Sequence, residues 1–417
     1  MNRPLDLVVI GCGARGIHYA SLAISRWPER YRVTAAADPR PERAERVRAL
    51  GGEGARAFAS ADACFAAGRL GDVAVVATQD HDHVGPCLRA LALGYDVLLE
   101  KPVAPTPAEV LRVRAAAARA GRRVVVCHVL RYAPLWSRVA GIIAAGRLGQ
   151  VIHIDHREGV GAWHQVHSFV RGHWARSASA TPMILAKCCH DLDMLRWFVG
   201  RTPLRIASMG ALTHFAPARR PAGAADRCAG CAIRATCAYD CAHYADRHRG
   251  WLGVIDPDLA EHGTRERILA AVEASPWGRC AWACDNDAVD HQSVLIDWGD
   301  ATASLTMTAF DEGRRMAVLG SEGRLIADDA DGGTIELIGH HGGRERIAIA
   351  AEHDGHGGAD AGLVGSLAEE LRCPPEAMLT GIGTSVDSHL MAFAAEASRR
   401  AGGGAVDLAA FAAASQP

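Results

Sequence analysis

Between residues 5 and 128, short wholly apolar runs alternate with stretches that carry the 3.6-residue period of a helix. LDLVVIG (5–11), YRVTAAAD (31–38), DVAVVAT (72–78), YDVLLE (95–100) and RRVVVCH (122–128) show no polar face. Strands of that kind lie inside a sheet covered on both sides. Helical periodicity separates them at about 16–27, 84–93 and 107–120. The alternation predicts an α/β domain over residues 1–128, a Rossmann-type doubly wound parallel sheet.

Beyond residue 128 the pattern changes. Segments 151–159, 203–212, 292–298, 302–310, 314–320 and 333–340 read as strands, several joined by short turns. Runs of strands without intervening helices predict an open, largely antiparallel sheet. Helices are expected at 189–198 and 386–400. Residues 129–417 then form a second α/β domain, interrupted at about 216–290 by an irregular, cysteine-rich insertion.

Length and charge narrow the function. At roughly 150 residues per domain, 417 residues allow two or three domains. Lys+Arg is 45 and Asp+Glu 47, net −2, so nucleic acid and anionic membranes lose their usual electrostatic attraction. The opening MNRPLDLVVIG lacks signal-peptide architecture, and no apolar run reaches about 18 residues; a cytoplasmic, soluble protein is expected. Only two of the 45 cations are lysines, Lys101 and Lys187. A GC-rich genome accounts for the arginines. Arginine cannot deliver a proton near neutral pH, whereas a lysine with a lowered pKa can.

The chemistry begins at residues 11–16, GCGARG, a G-x-G-x-x-G between a strand and a helix. Gly11, Gly13 and Gly16, with Ala14 and Arg15, form a tight turn whose backbone can approach a pyrophosphate at the helix start. Asp38 ends the second strand, 22 residues after Gly16. A carboxylate there accepts from the adenosine ribose diol and repels a 2′-phosphate, which favours NAD. Arg40 keeps NADP as the lesser alternative.

Glu100-Lys101-Pro102 closes a later strand. Together with GCGARG, ATQDHDH (77–83) and CHDLDMLRWFVG (189–200), it resembles the glucose–fructose oxidoreductase/inositol dehydrogenase family, Gfo/Idh/MocA. The resemblance spans nearly the whole chain. It implies a dinucleotide domain followed by an α/β domain whose open sheet carries the substrate and often the contact of a homo-oligomer, dimer or tetramer. It also implies a sugar or cyclitol substrate, and places Lys101 near both nicotinamide and substrate hydroxyl. Thr78, His83 and Glu100 fall at cofactor positions, and His190 with Asp193 at the helix histidine and its acid. Removing hydride from a carbinol carbon requires removing the hydroxyl proton, which imidazole or a depressed lysine can accept. Asp193, three residues on, is expected to orient His190. Two departures stand out. Ala186 occupies a place that is Asp in inositol-dehydrogenase-like members, with Lys187 beside it as a candidate for catalysis or substrate binding, and Gln79-Asp80 replaces Pro-Asn. Lys187, with Arg157, Arg171 and Arg176, also suits a substrate bearing a carboxylate or sulfonate.

The loop 159–177 carries Trp163, His164, His167, Arg171, His173, Trp174 and Arg176, rings and donors suited to stacking on sugar C–H faces and capturing hydroxyls. HDGHGGAD (353–360) is a second segment that could close over a substrate. In CDNDAVDHQ (284–292), Asp287, Asp290 and His291 either line the sugar site or form a solvated turn. Cys228, Cys231, Cys237 and Cys241 make C-x2-C-x5-C-x3-C, good spacing for a structural zinc and less so for an iron–sulfur cluster. His243, Cys280 or Cys284 could replace the fourth ligand.

The leading expectation is an NAD-dependent oxidoreductase acting on a ring carbon of a sugar, cyclitol or glycoside. The alternative is a redox glycosidase that oxidises C3 transiently, eliminates the aglycone, adds water and re-reduces, recycling NAD. A nucleotide-binding sensor without catalysis is the third reading, since fold alone does not prove chemistry.

Overall fold

In a computed structural model, which describes residues 3–330, 333–350 and 357–416, the apolar runs of the first third become six strands. These are β1 (Leu5–Ile10), β2 (Tyr31–Ala37), β3 (Arg56–Phe58), β4 (Val73–Val76), β5 (Asp96–Leu99) and β6 (Val124–Val126). All pair in parallel, in the order β3-β2-β1-β4-β5-β6. The order reverses between β1 and β4, so a crevice opens at their carboxyl ends, where this architecture binds ligands. The helix Pro41–Ala49 and strand β3 were not anticipated from the sequence. PERAERVRA reads as a charged surface stretch, yet it starts with Pro at its first turn and buries only Ala44 and Val47.

The second sheet has nine strands. They are β7 (Val151–Val160), β8 (Arg205–Ala211), β9 (His291–Asp297), β10 (Thr302–Thr308), β11 (Glu312–Gly320), β12 (Gly323–Asp328), β13 (Thr334–Gly339), β14 (Arg344–Ala348) and β15 (Val406–Asp407). The order is β14-β13-β12-β11-β7-β10-β9-β8-β15, and only β7 and β10 pair in parallel. Side chains alternate between its faces. Leu325, Val318, Ile154, Ala303, Ile296 and Ile206 form one row across six strands, all buried. The neighbouring row, Ile326, Ala317, Asp155, Ser304, Leu295 and Ala207, points the other way, with Leu295 62% exposed. Helices Cys189–Val199 and Ile382–Arg400 cover the buried face.

The end of the chain also returns to the first sheet. Val126 N–H donates to Thr380 O at 2.8 Å, capping the open edge of β6, and the Tyr31 hydroxyl donates to Val364 O at 2.7 Å. The expected insertion is present and contains helices, among them His243–Asp246 and Arg265–Ala274. Among the described residues no helix is long and apolar enough to cross a membrane.

Candidate active site

The crevice at the end of β1 shows why each glycine stands where it does. Gly11 has φ +87°, and a Cβ there would meet Ala77 O at 2.5 Å. A Cβ at Gly16 would run into the carbonyl of Gly11. At Gly13 the nearest atom to a Cβ is Arg43 Nη1, 3.7 Å away, so the space over that residue is open. The helix Ala14–Arg26 begins there with no side-chain cap and no acid in its first turn, leaving its positive end to a ligand anion. Asp38 is pinned beside it: Oδ2 accepts from Cys12 N–H at 2.8 Å and Oδ1 from Arg40 N–H at 2.9 Å. These residues fit a dinucleotide's pyrophosphate and ribose. Arg43, over Gly13, is a cation that sequence reading passed by. Gly13→Val is expected to weaken NAD binding by about tenfold or more while moving Tm by no more than about 2 °C. Gly16→Ala is expected to lower Tm instead; calorimetry beside an NAD titration separates the two.

The side chains at four expected cofactor positions, Arg15, Glu100, His83 and Thr78, have partners within the protein. The Arg15 guanidinium lies against Glu100 Oε1 at 2.8 Å, Asp360 Oδ1 at 2.5 Å and the Tyr19 hydroxyl. Glu100 also accepts from Tyr19 Oη at 2.7 Å and, through Oε2, from Lys101 N–H at 2.8 Å. Burial would raise the Glu100 carboxyl, but Arg15 and Lys101 outweigh it and hold it below its usual value. These side chains brace the crevice rather than reach into it. His83 behaves similarly: Nδ1 lies 2.6 Å from Pro102 O and Nε2 3.2 Å from Thr78 O, while the Thr78 hydroxyl donates to Asp82 O at 2.9 Å.

Lys101 reaches the segment that carries Lys187. Lys101 Nζ donates to Ala186 O at 3.0 Å, so the backbone carbonyl of the residue before Lys187 receives the first lysine. Lys187 Nζ pairs with Glu158 Oε1 at 3.1 Å. On β7 the inward positions are Ile154, His156 and Glu158, and the last two bring charge to the buried face. Arg314 Nε lies 2.8 Å from both Glu158 Oε2 and Asp191 Oδ1, and Asp191 also meets His156 Nε2 at 2.7 Å. Burial pushes the Glu158 carboxyl up against the pull of Arg314 and Lys187. His164 is driven well below the usual imidazole range by burial first, then by Lys187, His167, Lys101 and Arg314; it stands as a neutral base beside both lysines. His190, in the first turn of Cys189–Val199, sets its ring edge-on to His128 at 5.7 Å.

Other expected substrate contacts are occupied. Asp193, expected beside His190, takes both prongs of Arg131, at 2.6 and 2.8 Å, in a fully buried pair. Arg171 donates to Arg279 O and Tyr239 O at 2.7 and 2.8 Å, tying the insertion to the loop. Trp163 stacks on His248 at 4.1 Å and packs on Tyr244, so its ring is spent inside the insertion's own core. Trp174 Nε1 donates to Asp80 Oδ2 at 2.9 Å, which Thr181 Oγ1 also reaches at 3.0 Å; the unusual Asp80 thus closes the seam between the two sheets' loops. Asp290 Oδ2 accepts the N–H groups of Thr213 and His214 at 2.9 and 2.6 Å, and Asp287 holds Ser177, so that segment is turn architecture. Of HDGHGGAD, residues 353–356 lie outside the described residues.

The metal expectation is also corrected. Among the described residues no three Cys, His, Asp or Glu side chains converge to hold a metal ion. Cys228 and Cys241 are buried with Tyr244, Leu252, Ile268 and Val272, while Cys231 Sγ accepts from Ala225 N–H at 3.4 Å. A hydrogen bond from Cys241, aided by Arg171 and opposed by burial, brings the Cys228 thiol down to about 6. The cysteines here pack as an apolar core knitted by Arg171.

Both domains are matched by profiles of one family. The profile of the Gfo/Idh/MocA oxidoreductase family's NAD-binding Rossmann fold covers residues 5–128, and that of its C-terminal alpha/beta domain covers 141–355. The chain belongs to the Gfo/Idh/MocA oxidoreductase family. It is 26% identical over 314 residues to a Bacillus subtilis protein named as an oxidoreductase, YteT, covering 71% of this chain and 72% of that one. It is 30% identical over 234 residues to inositol 2-dehydrogenase 4 of Saccharopolyspora erythraea, covering 54% of this chain and 62% of the relative. Among solved structures, an inositol dehydrogenase homologue from Azotobacter vinelandii complexed with NAD+ superposes with TM-score 0.69 at 16% identity, over 98% of each chain. An Agrobacterium radiobacter oxidoreductase in complex with NAD+, L-tartaric acid and magnesium gives 0.67 at 15%, over 98% of this chain and 99% of that one. Family and fold agree with the expectation from sequence: a Rossmann sheet followed by an open, mostly antiparallel one.

Proposed function

We propose that this member of the family is an NAD-dependent dehydrogenase of a neutral polyol, a sugar or a cyclitol. The observation that carries the reading is the hydrogen bond of Lys101 Nζ to Ala186 O at 3.0 Å, which brings the first of the chain's two lysines to the residue before the second, four residues from His190. NAD, when bound, supplies the hydride acceptor. Lys101 holds the reacting hydroxyl and takes its proton at Nζ, with the neutral imidazole of His164 as the second acceptor. His190 lines the same wall. Asp38, its carboxylate fixed by two backbone N–H groups, favours the ribose diol over a 2′-phosphate, hence NAD before NADP.

Neutrality of the substrate follows from the charges. Lys187 is paired with Glu158, Arg157 with Asp311 at 3.1 Å and Arg176 with Asp285 at 2.9 Å, while Arg171 is buried on carbonyls. Three of the four cations that favoured a carboxylate or sulfonate are thus paired with carboxylates of the protein. Relatives named as inositol 2-dehydrogenases support a cyclitol. The outward face of the second sheet, with Met209 67% and Leu295 62% exposed, is where a second copy of the chain packs.

The test is absorbance at 340 nm with NAD and a panel of cyclitols, free sugars and aryl glycosides. Steady NADH formation on a cyclitol or free sugar is expected. Aglycone release over many turnovers without NADH would replace the proposal with the redox glycosidase. Silence across the panel with NAD bound would return the sensor reading.

A further inference from the structure

The segment Lys101-Pro102-Val103 is gripped from three sides. Glu100 holds Lys101 N–H and His83 faces Pro102 O, both from the first domain's own loops. The third grip comes from 286 residues away. Val103 N–H donates to His389 Nε2 at 2.9 Å, and His389 Nδ1 lies 2.7 Å from Ser385 O. A carbonyl only accepts, so Nδ1 carries the proton and Nε2 the lone pair that Val103 needs. Burial, then His128 beside it, brings the His389 imidazole down to about 3, so this tautomer persists across the physiological range. The His128 ring stands edge-on to His389 at 5.5 Å and to His190 at 5.7 Å. One side chain on the Ile382–Arg400 helix therefore touches the backbone that carries Lys101 and, through His128, the wall that carries His190.

We propose that His389 is a positioning residue that sets the reach of Lys101 toward the reacting hydroxyl, acting through the Val103 N–H···Nε2 hydrogen bond. The inference rests on the reading of Lys101 as the proton-handling group. Val103 is fully buried, and a buried N–H that loses its acceptor finds another only by shifting the chain. Two residues away, such a shift moves Nζ off Ala186 O. A displacement of about 1 Å at a reacting group costs on the order of 10²-fold in rate.

Two substitutions separate the two hydrogen bonds. His389→Asn keeps a donor for Ser385 but falls short of Val103; His389→Gln places its amide oxygen where Nε2 was. Asn is expected to lower kcat by about 30- to 100-fold with KM for NAD within about twofold, and Gln to return kcat to within about fivefold. The second readout uses the scarcity of lysine. Reductive methylation of the full-length protein with 13C-formaldehyde labels Lys101, Lys187 and the amino terminus, each followed by NMR across pH. In His389→Asn the Lys101 signal is expected to move in position and titration while that of Lys187 stays. The proposal is overturned if Asn leaves kcat within twofold, if Gln loses as much as Asn, if both lysine signals move together, or if neither variant folds. Lys101→Met with turnover intact would instead sink the reading on which it rests.

Discussion

Lys101→Met is expected to lower kcat by about 10³-fold, within the range of a lost general acid–base group, while NAD binding stays within about threefold. Met fills the volume of the alkyl stem but cannot hold a proton. The residues proposed to hold the pyrophosphate and ribose, Gly13, Asp38 and the Ala14–Arg26 helix start, do not include Nζ, and Glu100 Oε2 holds the Lys101 backbone rather than its side chain. The two lysines also divide the labour in a measurable way. Lys187 is neutralised by Glu158, so Lys187→Met leaves a buried carboxylate that Arg314 still answers, and the loss should fall on KM for the polyol. Rapid-mixing kinetics with isothermal NAD titration checks both. A Lys101→Met enzyme with more than a tenth of wild-type kcat would remove the residue from the chemistry.

The parts of this molecule that the sequence revealed are those whose cause is local. GCGARG needs its glycines because Gly11 O crowds Gly16 within one strand–turn–helix unit and Gly13 borders open space, while Ala77 O, just past the neighbouring β4, crowds Gly11. The first sheet declared itself because strands buried on both faces have no polar positions. The second site is harder to read because its partners are remote. His389 reaches Val103 across 286 residues and Arg131 reaches Asp193 across 62. Trp163 stacks on a histidine of an insertion whose helices carry weak patterns. Sequence spacing places Asp193 near His190 on one helix, but it does not show that an arginine outside that helix claims the carboxylate first. Glu158 was within reach. The alternation Ile154, His156, Glu158 puts a polar pair in phase with a core residue, and charge on the buried side of a strand is the signal that a site lies over it.

The Arg131–Asp193 pair carries the largest stability consequence. Both side chains are at most 3% exposed, and the contact is two-pronged. Asp193→Ala strands the guanidinium where water cannot reach it, a loss of about 3–5 kcal/mol, or about 3–6 °C in Tm for a protein of this size. Arg131→Met with Asp193→Leu, which removes both charges, should recover much of that loss, because desolvation of the pair opposes its attraction. The pH dependence has a definite sign. Burial would raise the Asp193 carboxyl, but Arg131 overrides it and holds it below the usual carboxylate value. A depressed carboxylate contributes stability that is fully present above its unfolded value of about 3.9 and is lost as pH falls through the folded one. The Tm gap between wild type and Asp193→Ala should therefore be constant from pH 7 to about 5 and narrow only below about pH 4. Calorimetry over that range decides it: a gap that instead grows as pH falls from 7 to 5 would show that a protonating histidine, and not the Arg131 pair, supplies the stability. In that event Asp193 would act with the histidine wall of His128 and His190.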